Sequence, residues 1–241
     1  MGLALCAVGS PVAWADGEAQ SDERPPPRVE TWSGVEVFPG IRSVYGGASW
    51  APFGSIREDG FRLRGAAGYG AYGLGPGDSG KGTVAFGDVL VGYHKQLGSV
   101  TIKVFGGLTV LDYAPDAAEP WPALTGTEYG GKGVLEAWWN ITDQAWASLD
   151  LSWASTHMDY GSRVRLGWRL LPDLSAGLEG GSGGTAEPGL EHDTSRIGAF
   201  LRYEWATGEV SVSGGWAADG TWLEREWPPG PFGTVAVLTR F

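Results

Sequence analysis

From residue 31 to the C-terminus, apolar and polar residues alternate with a period of two. In 162–170, Val164, Leu166, Trp168 and Leu170 fall on one face and Arg163, Arg165 and Arg169 on the other. In 196–205, Ile197, Ala199, Leu201, Tyr203 and Trp205 oppose Arg196, Arg202 and Glu204. Phe61-Arg62-Leu63-Arg64 repeats the pattern, and in 100–110 a valine, isoleucine and leucine face opposes Thr101 and Lys103. No stretch sustains the 3.6-residue period long enough for an amphipathic helix. Turn signals divide the alternation into about twelve strands, at 31–38, 42–51, 60–73, 82–96, 99–111, 127–141, 144–155, 160–171, 174–186, 194–206, 208–218 and 232–241. Several exceed ten residues, against about five or six for an ordinary globular strand.

The connections narrow the choice of architecture. Among the later strands, long loops rich in proline, glycine and acidic residues (112–126, 187–193, 219–231) alternate with tight turns near 97–98, 142–143, 172–173 and 207–208. With both chain ends on one side, twelve strands place every tight turn on that side, the loop asymmetry of outer-membrane barrels. The connection 156–159 is short where this scheme expects a long loop. The pattern predicts an all-β, transmembrane, antiparallel up-and-down barrel over 31–241. A secreted carbohydrate-binding β-sandwich, its apolar face turned inward, is the alternative.

Composition fits a folded β protein. Glycine (41) and proline (15) are abundant, but thirteen tryptophans and 42% hydrophobic residues provide apolar surface to bury. No apolar run reaches the roughly 18 residues of a spanning helix. The net charge of −11 argues against a nucleic-acid partner, whose backbone attracts basic patches. Residues 1–15 read as a secretory signal peptide without a basic n-region, cleaved after Ala13-Trp14-Ala15. Cys6, the single cysteine, would leave with it. Residues 16–30, acidic and proline-rich, read as a disordered lead-in.

The polar face carries both signs of charge: Glu36, Arg62, Arg64, Asp88, Lys103, Glu136, Asp150, Arg163, Arg165, Arg169, Glu179, Arg196, Arg202 and Glu204. In a barrel these line the lumen and pair across strands, a structural charge ladder rather than a pair of glycosidase carboxylates. Side chains fill barrels of eight strands and sixteen leave a channel, so twelve strands with so many charged residues predict a narrow or closed lumen. Trp50, Tyr93, Trp138, Trp139, Trp153, Trp205 and Trp216 cluster toward strand ends as interfacial girdles do, making outer-membrane lipid the expected surroundings. The chain closes on an alternating strand ending in Phe241.

Several of these strands resemble the cellulose biosynthesis protein BcsS family. The likeness is carried by Asp59-Gly60-Phe61-Arg62-Leu63-Arg64-Gly65, Gly130-Gly131-Lys132-Gly133-Val134-Leu135-Glu136-Ala137-Trp138 and Ala145-Trp146-Ala147-Ser148-Leu149-Asp150. Residues 163–181, Ala199-Phe200-Leu201-Arg202-Tyr203-Glu204-Trp205 and Gly230-Pro231-Phe232-Gly233-Thr234 continue it, so that it covers roughly Trp32 to Phe241. It is a likeness of strands, not of a catalytic signature. The resemblance implies a place in the cellulose biosynthesis of Gram-negative alphaproteobacteria, with cellulose and cellulose synthase components as partners; joined to the predicted barrel, it gives the expectation of a non-enzymatic outer-membrane protein accessory to export or surface anchoring of the glucan.

Side chains able to do chemistry are few. His94, beside Lys95, reads as a solvated turn residue, and His192 lies between Glu191 and Asp193 without a spaced metal-ligating partner. Ser155, His157 and Asp159 could form a nucleophile, base and orienting group, the mark of an outer-membrane lipid- or polysaccharide-modifying hydrolase. The reading favoured here assigns no catalytic residue, metal or cofactor. In the long loops, Trp121, Trp222 and Trp227 stand among carboxylates (Asp116, Glu119, Glu224, Glu226). Indole faces stack on glucose rings and carboxylates accept sugar hydroxyls, so these three tryptophans are candidate glucan contacts.

Overall fold

The computed structural model describes residues 25–73, 81–115, 125–187, 192–218, 220–222, 225–227 and 229–241. The expected signal peptide, most of the lead-in and Trp121 lie outside them. Alternation becomes twelve long antiparallel strands: β1 (Val29–Phe38), β2 (Ile41–Trp50), β3 (Gly60–Gly73), β4 (Lys81–Leu97), β5 (Val100–Pro115), β6 (Gly126–Asn140), β7 (Ala145–Ala154), β8 (Asp159–Leu171), β9 (Leu174–Thr185), β10 (His192–Trp205), β11 (Gly208–Ala217) and β14 (Gly230–Arg240). A short hairpin, β12 (Gly220–Trp222) and β13 (Arg225–Trp227), interrupts the last connection.

Each strand pairs with its sequence neighbour, and β14 closes the ring by pairing with both β11 and β1. Thr31 faces Thr239 and Val35 faces Val235 across the closing seam. The result is a closed, twelve-stranded antiparallel barrel. Closure leaves no ring strand with an unpaired edge, which a sandwich would have. It therefore replaces the sandwich alternative.

Because side chains alternate across a strand, the wall has two faces. Val89, Leu108 and Ile197 point outward at 74%, 73% and 70% exposure, an apolar surface that water would not tolerate over a whole barrel. The shortest ring strands, such as β1, have ten residues. At about 3.3 Å per residue and a tilt of about 40°, ten residues rise about 25 Å, the height of an outer-membrane apolar band. Outward aromatics rim both ends of this band: Trp50, Phe61, Tyr93, Trp139, Trp168 and Trp205 at one, and Tyr69, Tyr129, Trp153 and Trp216 at the other.

The first-named end, the chain-end side, holds the start of β1 and the C-terminal Phe241, tied by Val29 and Phe241, each of whose N–H groups donates to the other's carbonyl at 3.0 and 2.8 Å. Two connections depart from the expected asymmetry. The β1–β2 turn at 39–40 is tight although it lies at the opposite, loop end, and Gly40 takes a φ of 72° there. Residues 51–59, at the chain-end side, form a nine-residue segment rather than a turn. Val29 and Glu30, assigned by the sequence to the lead-in, are the first residues of β1.

Candidate functional site in the lumen and at the loop end

The inward parity of each strand brings the ladder residues together. Arg64 on β3 reaches past β4 and β5 to Glu136 on β6 at 2.5 Å. Lys103 on β5 meets Glu30 on β1 at 3.4 Å and Glu136 at 3.8 Å. Arg196 on β10 pairs with Glu36 on β1 at 2.5 Å. Between nearer strands stand Lys132–Asp88 (2.5 Å), Arg163–Asp150 (3.1 Å), Arg165–Glu179 (2.9 Å) and Arg202–Glu209 (2.6 Å), with Glu204 also on Arg202 at 3.0 Å. Such charges are held out of bulk water by mutual pairing and added hydrogen bonds, for example Thr109 to Asp88 at 2.6 Å.

Aromatic rings fill the space between these pairs. Trp138 and Trp146 stack with centroids 4.1 Å apart, and Phe200 leans on Trp146 at 5.4 Å. The Arg202 guanidinium, on β10, lies 4.9 Å from the Trp138 ring on β6 and 5.3 Å from Trp146 on β7. Arg64 sits 4.6 Å over Trp32 and 5.2 Å over Phe105. The planar guanidinium suits this double duty of ion pair and ring contact. A cavity of about 10 Å³ remains beside Lys103, Glu136 and Asp150, and one of about 30 Å³ beside Lys132 and Asp159. Each has room for one or a few waters.

Two predicted ladder residues act at the chain-end side. Arg169 bonds Asn140 Oδ1 (2.6 Å) and the Asp143 carbonyl (3.0 Å), tying β8 to the β6–β7 turn. Arg62 donates to the carbonyls of Ser55 and Ile56, both at 3.1 Å, and to that of Glu58. It thereby holds residues 51–59 in the barrel mouth. Ser55 Oγ and the Ile56 N–H both donate to the Pro27 carbonyl, at 3.1 and 2.7 Å. Arg57 reaches past β1, β14 and β11 to the Ala206 carbonyl at 3.4 Å. Asp59 accepts from Lys95 Nζ and from the Gln96 N–H (2.7 Å); the Lys95 contact, followed by that N–H, holds its carboxyl below the usual range.

His94 is fully buried beneath this segment, 3.1 Å from Arg62 Nη2, and is not a solvated turn residue. It shares the inward parity of Asp88 and Leu90, and a local turn signal cannot reveal a segment folding over it. Trp138, predicted in the girdle, faces inward at 3% exposure because it shares the parity of Glu136, leaving Trp139 outside. The sequence reading passed over Glu30, Lys132, Glu209 and Arg240. All four are in phase with inward neighbours, and Arg240 pairs with Glu30 at 3.1 Å.

At the loop end, Ser155 and His157 do not form a nucleophile–base pair. Ser155 Oγ accepts from the Gly131 N–H at 2.9 Å. His157 Nδ1 faces Glu187 Oε2 at 2.5 Å and Nε2 faces Glu128 Oε2 at 3.0 Å. His192 opens β10, in register with Thr185 and Trp222. Trp222 and Trp227 lie on the β12–β13 hairpin, which joins the barrel beside β10.

A family model described as cellulose biosynthesis protein BcsS matches residues 31–241. No curated protein matches the chain. Among solved structures, an outer-membrane channel from Pseudomonas putida is similar with a TM-score of 0.55 at 11% identity, over 95% of this chain and 100% of that one. The beta domain of the Bordetella autotransporter BrkA is similar with a TM-score of 0.51 at 14% identity, over 89% of this chain and 98% of that one. At these identities the likeness is one of fold.

Proposed function

The chain belongs to the cellulose biosynthesis protein BcsS family, and on that premise we propose that it is a non-enzymatic, non-conducting outer-membrane barrel that anchors cellulose at the cell surface. The chain-end side faces the periplasm and the loop end faces outward, the usual sense of outer-membrane barrels. One observation carries the choice of anchoring over export: ion pairs such as Arg64–Glu136 and Lys103–Glu30 cross the lumen between non-neighbouring strands. A glucan chain could pass only by breaking them and leaving buried charges uncompensated. The segment 51–59, held by Arg62, supports the same reading at the periplasmic mouth. Engagement of His157 Nδ1 by Glu187 and of Ser155 Oγ by the Gly131 amide, rather than of the two residues by each other, favours a structural over a hydrolytic role.

The glucan is held by the outer loops, with Trp121, Trp222 and Trp227 as stacking platforms, and the cellulose synthase components deliver the polymer from within. Deleting the gene tests this reading. Anchoring predicts normal total cellulose with polymer shed to the medium, whereas polymer retained in the periplasm would make the protein an export component. Replacing Trp121, Trp222 and Trp227 together by Ala is expected to reproduce the shedding while the barrel still assembles, as followed by heat-modifiable gel mobility. Undiminished surface cellulose in that variant would remove the three tryptophans from the account.

A further inference from the structure

His94 lies at the chain-end mouth, one residue beyond Tyr93 of the aromatic rim and one before the exposed Lys95. It stands in register with Gly60 on β3 and Lys103 on β5, beneath the segment 51–59. Arg62 Nη2, which holds the Ser55, Ile56 and Glu58 carbonyls of that segment, also lies 3.1 Å from His94 Nδ1. A guanidinium is only a donor, and an imidazole nitrogen accepts only when it carries a lone pair. The contact is therefore a hydrogen bond while Nδ1 is unprotonated, and sets N–H against N–H in an imidazolium. We infer that His94 is an acid-sensitive catch on the segment 51–59: the neutral ring lets Arg62 hold the segment in the mouth, and the protonated ring displaces Arg62 and lets the segment lift away.

The surroundings hold the ring neutral. Two cations act on it, Lys103 from β5 and Arg62 from β3, against the carboxylate of Asp59 in the segment itself. Lys103 is shared between Glu30 on β1 and Glu136 on β6, and Asp59 is engaged by Lys95 and by the Gln96 N–H. A hydrogen bond to the Ile56 backbone favours the charged ring, but burial, followed by Lys103 and Arg62, outweighs it and pushes the imidazole down to about 4. Arg62 is as deeply buried as the ring, and donates to carbonyls of the segment and of Phe61. A second cation beside it is relieved when the segment lifts and water reaches both groups.

With the segment lifted, the ring titrates near the ordinary imidazole value of about 6.5. Opening therefore takes up a proton. Closure is fully favoured above about pH 6.5 and weakens as pH falls toward about 4, by up to about tenfold in the open population for each unit. The lumenal pairs beyond, such as Arg64–Glu136, join strand to strand and not strand to segment, so the mouth opens without parting them. The catch therefore stands whether or not the barrel anchors a glucan.

Amide hydrogen exchange on the full-length protein, folded in detergent and corrected for intrinsic rates, tests the catch at about pH 7.5 and about pH 5, both above the ordinary carboxylate range. The Ile56 and Glu58 amides donate to the Pro27 and Ser55 carbonyls at 2.7 and 3.1 Å. They are expected to lose about tenfold or more in protection at the lower pH, while amides in the middle of β5 keep theirs. His94→Asn, whose side-chain oxygen can accept from Arg62 without titrating, should stay protected at both pH values. Equal protection of the two amides at both pH values in the unaltered protein would overturn the inference, as would a pH dependence undiminished in His94→Asn. Imidazole nitrogen NMR checks the premise without a variant: His94 Nδ1 is expected to be unprotonated at the higher pH, and a ring already charged there would equally overturn it.

Discussion

Arg64 joins the two kinds of contact that fill the lumen, an ion pair with Glu136 and ring contacts with Trp32 and Phe105. Arg64→Ala removes one partner of a buried pair and is expected to destabilise the barrel by about 3–5 kcal/mol in urea unfolding. Arg64→Met combined with Glu136→Met should recover most of that loss, because the uncompensated charge goes too. Gly47 tests the packing beneath Trp32: a Cβ there would come within 2.4 Å of the Trp32 ring and 2.6 Å of the Gly65 carbonyl. Gly47→Val is expected to cost about 1–3 kcal/mol or more in the same assay, or to prevent assembly. At this scale the sequence reveals direction better than partnership. Parity alone puts Arg163 and Arg165 inside and Leu166 outside, but it says nothing of Arg64 meeting Glu136 across 72 positions of sequence. For Trp138 and His94, end-of-strand position and a nearby turn point outward, whereas parity points inward, as both side chains lie.

Among the elements, the segment 51–59 is the one the sequence conceals. In the sequence it is only the gap between the strands at 42–51 and 60–73, while the contacts that make the segment a lid come from Pro27, Arg62 and the β10–β11 turn. The strand boundaries, by contrast, follow from alternation and turn residues, and several match closely: 60–73 against Gly60–Gly73, and 160–171 against Asp159–Leu171. Asp59 anchors one edge of the lid, and its carboxyl titrates below the ordinary value because Lys95 and the Gln96 N–H favour the charged form. The contribution of that anchor is present above the unfolded-state value of about 4 and is lost as pH falls through the lower folded one. Protection of the Gln96 amide in hydrogen exchange is therefore expected to fall on acidification through that range. Asp59→Asn should weaken this protection at neutral pH and abolish its acid dependence.

For the whole molecule, closure of the ring follows from strand number, loop alternation and the seam between β1 and β14, the first two of which were legible beforehand. What pattern could not supply is how full the barrel is, since that depends on aromatic rings and arginines from distant strands meeting at one level. Family membership gives the pathway, and the packed lumen is what supports the proposal that the barrel serves it as a holder rather than a conduit. Single-channel recording on the purified, folded protein in planar lipid bilayers tests that claim most directly. The account predicts current indistinguishable from the bare bilayer under applied voltage. Stable, ohmic conductance steps would contradict it and show that the ladder parts to leave an open pore.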